Sequence, residues 1–91
     1  MKKPLTIALD YDGTYTADPE MWDRFIQDAH ERGHRVLCVT SRYGDSADPE
    51  LIYGVVTVFT KMQAKRWFCN AGGVKVDIWI DDEPATIENG R

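Results

Sequence analysis

The sequence is poor in the residues that staple or ligate small domains, with two cysteines and two histidines among 91 residues. Cys38 and Cys69 lie far apart and match neither a CxxC nor a zinc-ligand spacing. Each sits inside an apolar segment, so both read as reduced core residues. Long apolar runs are missing too. The first one breaks at Asp10, too soon for a secretory signal peptide and far too soon for a membrane span, so the expectation is a cytoplasmic protein with no membrane partner. Positive charge is in deficit: 11 Lys and Arg stand against 15 Asp and Glu, a formal net charge of −4. That balance argues against extended nucleic-acid binding, which needs a basic surface to neutralise phosphates, but leaves room for one phosphate bridged by a cation. No internal repeat, low-complexity tract or linker is present, and one globular domain accounts for the length.

What is there alternates strand-like and helix-like segments. Leu5, Ile7, Ala8 and Leu9 form a short apolar run, then Asp18-Pro19-Glu20 supplies an N-cap, a proline at the first helical turn and an early acid. The apolar positions Met21, Trp22, Phe25, Ile26 and Ala29 repeat on one helical face up to a stop at Gly33. Arg35 to Thr40 reads as a second strand and Val55 to Thr60 as a third. Between them Tyr43 to Gly54 reads as a loop with room for one helical turn from Asp48 to Tyr53. Met62 to Ala71 reads as a second helix presenting Ala64, Trp67, Phe68 and Ala71, closed by Gly72-Gly73. Val76 to Ile80 reads as a fourth strand, with Pro84 breaking the chain beyond it. Trp22, Trp67 and Trp79 are expected as core fillers, and His30 and His34 as cations near the end of the first helix. Right-handed crossovers between such strands imply a three-layer α/β/α fold with a mostly parallel, Rossmann-like sheet.

The apolar strands end in charge. The first runs into Asp10 and Asp12, two apart and able to face one site, and the fourth into Asp81 and Asp82. Open α/β sheets bind ligands beyond the carboxyl ends of their strands. Four acids gathered there would repel one another unless a cation sat among them, and all-oxygen ligation of this kind suits Mg²⁺.

Asp10-Tyr11-Asp12-Gly13-Thr14 after an apolar strand resembles the DxDGT motif of the haloacid dehalogenase superfamily of phosphohydrolases. Thr40 at the end of Val36-Leu37-Cys38-Val39 is similar to that superfamily's second motif, a lysine in the following helical segment to its third, and Asp81-Asp82 to its two-aspartate fourth. The resemblance covers the chain from Leu5 to about Pro84. It implies a phosphatase in which Asp10 attacks phosphorus to give an aspartyl-phosphate and Asp12 serves as general acid and base. It further implies Mg²⁺ held by the Asp10 side chain, the Asp12 carbonyl and Asp82, with Asp81 assisting, and a phosphoryl oxygen bonded by Thr40. Two lysines are open for the charge-neutralising role: Lys65, which has the better claim from its place at the front of the second helix, and Lys61, directly after the third strand. Thr14, Ser41 and Arg42 are candidate substrate contacts, Thr14 being better suited to orienting the loop by a local hydrogen bond.

Only Tyr15 to Asp18 separates the first motif from a helix, and Ser41 to Thr60 holds a loop and a strand, so the resemblance is to a capless member. An open site accepts a small phosphorylated molecule or an exposed macromolecular phosphate, such as a nucleotide, a sugar phosphate or a polynucleotide end, or borrows a lid from a second subunit of a homo-oligomer. The alternative is a non-catalytic phosphoacceptor resembling the receiver domains of two-component signalling, which also combine Asp, Mg²⁺, Thr and Lys. The order of motifs argues against it, because no Asp ends the strand at Thr40 or Thr60.

Overall fold

The computed structural model describes residues 3–44 and 50–90. Four strands, β1 (Thr6–Leu9), β2 (Arg35–Thr40), β3 (Thr57–Phe59) and β4 (Ile78–Ile80), form one sheet in the order β3-β2-β1-β4. Every pairing is parallel, with Leu9 opposite both Cys38 and Ile80. Helix α1 (Pro19–Glu31) follows β1, α2 (Lys65–Ala71) follows β3, and a short α3 (Ala85–Glu88) follows β4. Side chains of the central strands alternate between two cores, as a sheet covered on both faces requires. Ile7, Leu9, Val36 and Cys38 pack with Ile26 and Ala29 of α1 on one side, while Ala8, Leu37 and Val39 pack with Cys69 of α2 and Val76 on the other.

α1 begins where its caps dictate: the Asp18 carboxylate accepts the Met21 N–H at 3.2 Å, and Pro19 occupies the first turn. Both cysteines are free and buried, and burial pushes the Cys38 thiol up to about 12. No helix among the described residues is long and apolar enough to cross a membrane.

Several elements depart from the sequence reading. α2 starts at Lys65 rather than Met62 because Lys61 and Met62 both adopt left-handed backbone, with φ of 56° and 65°. Their N–H groups bond back to the carbonyls of Arg42 and Ser41, which ties the exit of β3 to the exit of β2 and leaves no helical geometry before Gln63. The buried face of α2 is Lys65 and Cys69, so Trp67, expected in the core, is 59% exposed. Met21 likewise faces outward. β3 and β4 are three residues each, shorter than the apolar runs that announced them. Pro84 does not end the ordered chain but precedes α3. His34 ties the end of α1 to the sheet: its Nδ1 accepts the Leu5 N–H at 3.0 Å. The start of the turn expected over 48–53 lies outside the described residues, and Leu51 to Val55 form bends and turns.

Candidate functional site

The order β3-β2-β1-β4 reverses direction at β1, where the chain that moved outward through β2 and β3 returns to the opposite side with β4. Loops leaving β1 and β4 therefore diverge, opening a crevice at the carboxyl ends of the strands. The Asp10 N–H bonds the Ile80 carbonyl at 3.0 Å, which extends the ladder by one step and sets Asp10 beside the β4 exit. Asp10 is 7% exposed.

Lys65 meets it from the first turn of α2. Its ammonium donates to Asp10 Oδ1 at 2.9 Å and to Asp81 Oδ2, and the three side chains are 3%, 8% and 2% exposed for Lys65, Asp10 and Asp81. Lys61, the other lysine considered from sequence, is exposed and does not line the crevice. Thr14 Oγ1 lies 3.1 Å from Asp10 Oδ2 and 2.9 Å from Asp82 Oδ1, and accepts the Asp82 N–H at 3.1 Å. The Thr14 hydroxyl thus ties the β1 exit to the β4 exit. This is the loop-orienting role, and Thr14 is not among the residues lining the main cavity.

Asp10, Asp81 and Asp82 each offer one carboxylate oxygen, all within 4.8 Å of one another. Hard, anionic oxygen donors in this number suit a divalent cation of the Mg²⁺ or Ca²⁺ type. Gly13 supports the arrangement. With φ of +84° it turns the chain under the acids, and a Cβ there would meet Asp82 Oδ2 at 2.5 Å. Gly13→Ala is expected to destabilise the protein by about 1–2 kcal/mol from the left-handed backbone alone, read as a lower midpoint in urea denaturation.

One ammonium serves three carboxylates, and the electrostatics follow from that shortage. Burial is the main force on Asp10, pushing its carboxyl up to about 6 against the lowering hydrogen bond from Lys65. The hydrogen bond with Asp10, and after it the one with Thr14, hold Asp82 below its ordinary range. Burial works against the charge on Lys65, but its hydrogen bonds to Asp81 and Asp10 outweigh it and keep the ammonium form to higher pH than usual. A carboxyl raised from 3.8 to about 6 holds more protons in the folded than in the unfolded chain across that interval, so its contribution to stability falls as pH rises through it and is flat above. In metal-free solution the wild type is therefore expected to lose stability relative to Asp10→Asn between about pH 4 and 6, measured as the difference between the two melting temperatures at each pH.

Around these acids lies a cavity of about 290 Å³. Asp10, Asp12, Thr40, Ser41, Arg42, Lys65 and Asp81 line it, so all but two of the site positions read from sequence converge there. The exceptions are Thr14 and Asp82, which line a separate pocket that shares Asp81 with the first. Thr40 is 1% exposed, and its hydroxyl accepts the Arg42 N–H at 3.3 Å. Asp12 is not in the three-acid cluster; its carboxylate receives Arg42 in a two-pronged bond, Nε and Nη2 each at 2.8 Å. The guanidinium also lies over the Tyr11 ring, 5.2 Å from its centre. This pair spans 30 residues and has no local sequence signal. Sequence reading also missed three cavity walls, Met62, Glu83 and Thr86. Thr86 sits on a helix of four residues, too short to carry a periodicity.

No known protein family, curated protein or solved structure matches this chain.

Proposed function

We propose that the protein is a Mg²⁺-dependent phosphomonoester hydrolase that works through an aspartyl-phosphate on Asp10. The observation that carries this reading is the buried ammonium of Lys65 shared between Asp10 and Asp81 at the carboxyl ends of β1 and β4, beside a third carboxylate and an open cavity. A nucleophilic carboxylate that must receive a phosphate dianion needs compensating positive charge at that spot, and a lysine is otherwise rarely buried.

The divalent cation would be held by the side chains of Asp10 and Asp82, by the Asp12 carbonyl, and with help from Asp81. When bound it supplies charge neutralisation and Lewis-acid polarisation of a phosphoryl oxygen. The chain's own residues do the rest. Thr40 and Ser41 donate hydrogen bonds to phosphoryl oxygens from the β2 exit. Arg42 exchanges the Asp12 carboxylate for the incoming phosphate, which frees Asp12 to carry a proton. An Asp10 oxygen attacks phosphorus, the bond to the leaving alcohol breaks, and Asp12 protonates the departing oxygen. Asp12 then takes a proton from water as that water attacks phosphorus, which releases phosphate and restores Asp10.

The test is phosphate release from an aryl phosphate in Mg²⁺ and in EDTA. Turnover in the first and none in the second supports the reading. No turnover, with stable labelling of Asp10 by a small phosphodonor, would replace the hydrolase with a phosphoacceptor module.

A further inference from the structure

Two residues in succession take left-handed backbone at the edge of the cavity, Lys61 with φ of 56° and Met62 with φ of 65°. Neither is a glycine, so each holds a conformation in which its own Cβ crowds the chain. Such strain persists only where the surroundings dictate it, and it collects at sites that use it. The surroundings here are the β2 exit: the N–H groups of Thr60, Lys61 and Met62 donate to the carbonyls of Thr40, Arg42 and Ser41 at 2.8, 3.2 and 2.8 Å. Those bonds fix the backbone. A glycine at position 62 would make the same bond with less strain, so what needs a reason is the methionine side chain.

Core packing does not supply that reason. Met62 is 38% exposed and belongs to neither core, yet it lines the cavity, where it is the one apolar residue among the described walls. Its N–H is taken by Ser41, and its carbonyl is turned to Gly90, where a Cβ would stand 2.9 Å from the oxygen. The side chain is what Met62 has left to offer the cavity. Because its N–H donates to the Ser41 carbonyl, Met62 flanks any phosphoryl group that Thr40 and Ser41 hold. A thioether does little for phosphate oxygens, but it is an adaptable apolar surface for carbon. We propose, resting on the hydrolase reading above, that Met62 is a specificity-determining residue that packs against the alcohol part of the substrate and selects phosphomonoesters with apolar carbon there, alkyl or aryl, over polyol phosphates. The cavity of about 290 Å³ is at the small end for ligand pockets, which suits an ester of few carbons.

The experiment compares n-butyl phosphate with 2-methoxyethyl phosphate, which differ by a methylene in place of an ether oxygen, in wild type and in Met62→Leu, Met62→Asn and Met62→Gly. Phosphate release in Mg²⁺ gives kcat/KM, and calorimetric binding to Asp10→Asn, with and without Met62→Asn, gives the preference without turnover. Wild type is expected to favour the butyl ester about fourfold, through KM. The ether alcohol is the better leaving group, so reactivity alone would give the opposite order. Met62→Leu should keep the preference and Met62→Asn, which tolerates left-handed backbone, should lose it. Met62→Gly should also lose it while melting about 3 °C above wild type, because the backbone strain is relieved. Equal use of the two esters by wild type, or a preference that survives Met62→Asn, overturns the contact; a glycine variant that melts below wild type makes Met62 a packing residue and overturns it as well. Absence of turnover, with a butyl preference in binding that Met62→Asn abolishes, overturns the hydrolase reading and upholds the contact. Absence of both turnover and binding for the two esters overturns both.

Discussion

Replacing Lys65 with methionine is expected to cost the fold about 3–5 kcal/mol, because it leaves Asp10 and Asp81 buried beside each other with their shared cation removed. A domain of this size has roughly 5–14 kcal/mol of stability in total, at about 0.05–0.15 kcal/mol per residue. The loss therefore takes a large part of it and lowers the melting temperature by about 15 °C or more. Two controls separate lost charge from lost packing. Neutralising the acids as well, in Lys65→Met/Asp10→Asn/Asp81→Asn, removes the uncompensated charge and should recover most of the melting temperature. Added Mg²⁺ should stabilise Lys65→Met more than it stabilises wild type, since a divalent cation supplies the missing charge at the same acids. A single variant that melts within about 3 °C of wild type in EDTA would mean that the three side chains do not form this buried cluster.

The second large effect is on chemistry. Asp10→Asn is expected to lower Mg²⁺-dependent phosphate release by about 10³-fold or more, because an amide oxygen does not form the phosphoenzyme. Lys65 keeps Asp81 as a partner in this variant, so the protein should stay folded, and a melt alongside the assay checks it. Asp12→Asn should behave differently. Asp12 is half exposed and bonded to Arg42 rather than to the buried cluster, so in the proposed mechanism its loss removes proton transfer and leaves the nucleophile in place. The expected cost is about 10²- to 10⁴-fold on an alkyl phosphate. The cost should be clearly smaller on an aryl phosphate, whose leaving group needs little protonation. Equal losses on both substrates would remove Asp12 from the acid role.

β1 and its acidic end were legible because a central strand of a parallel sheet is buried on both faces and must be continuously apolar, so the carboxylate at its end stands out. The first helix was legible from its cap, Asp18, and its proline. α2 was not. Its register was assigned by putting Trp67 inside, whereas the structure puts Lys65 and Cys69 there. A lysine takes a core position only when distant carboxylates are waiting for its charge, and those lie 55 and 16 residues away. The same limit hid the Asp12–Arg42 bond, and the turn at Lys61 and Met62 escaped notice because neither residue is the glycine that left-handed backbone usually calls for.

β1 pairs with β4 across some 70 residues, and the cluster at their ends draws on Asp10, Lys65 and Asp81. During synthesis the chain thus carries an early aspartate whose lysine partner arrives tens of residues later, and whose neighbouring strand arrives later still. The nascent chain can pair β1 with β2 while still attached to the ribosome, but the crevice has only one wall until the residues of β4 have left the exit tunnel. Closure of that long loop is the entropic toll placed at the end of folding. The chain is thereby kept from presenting a finished crevice before its sheet is complete.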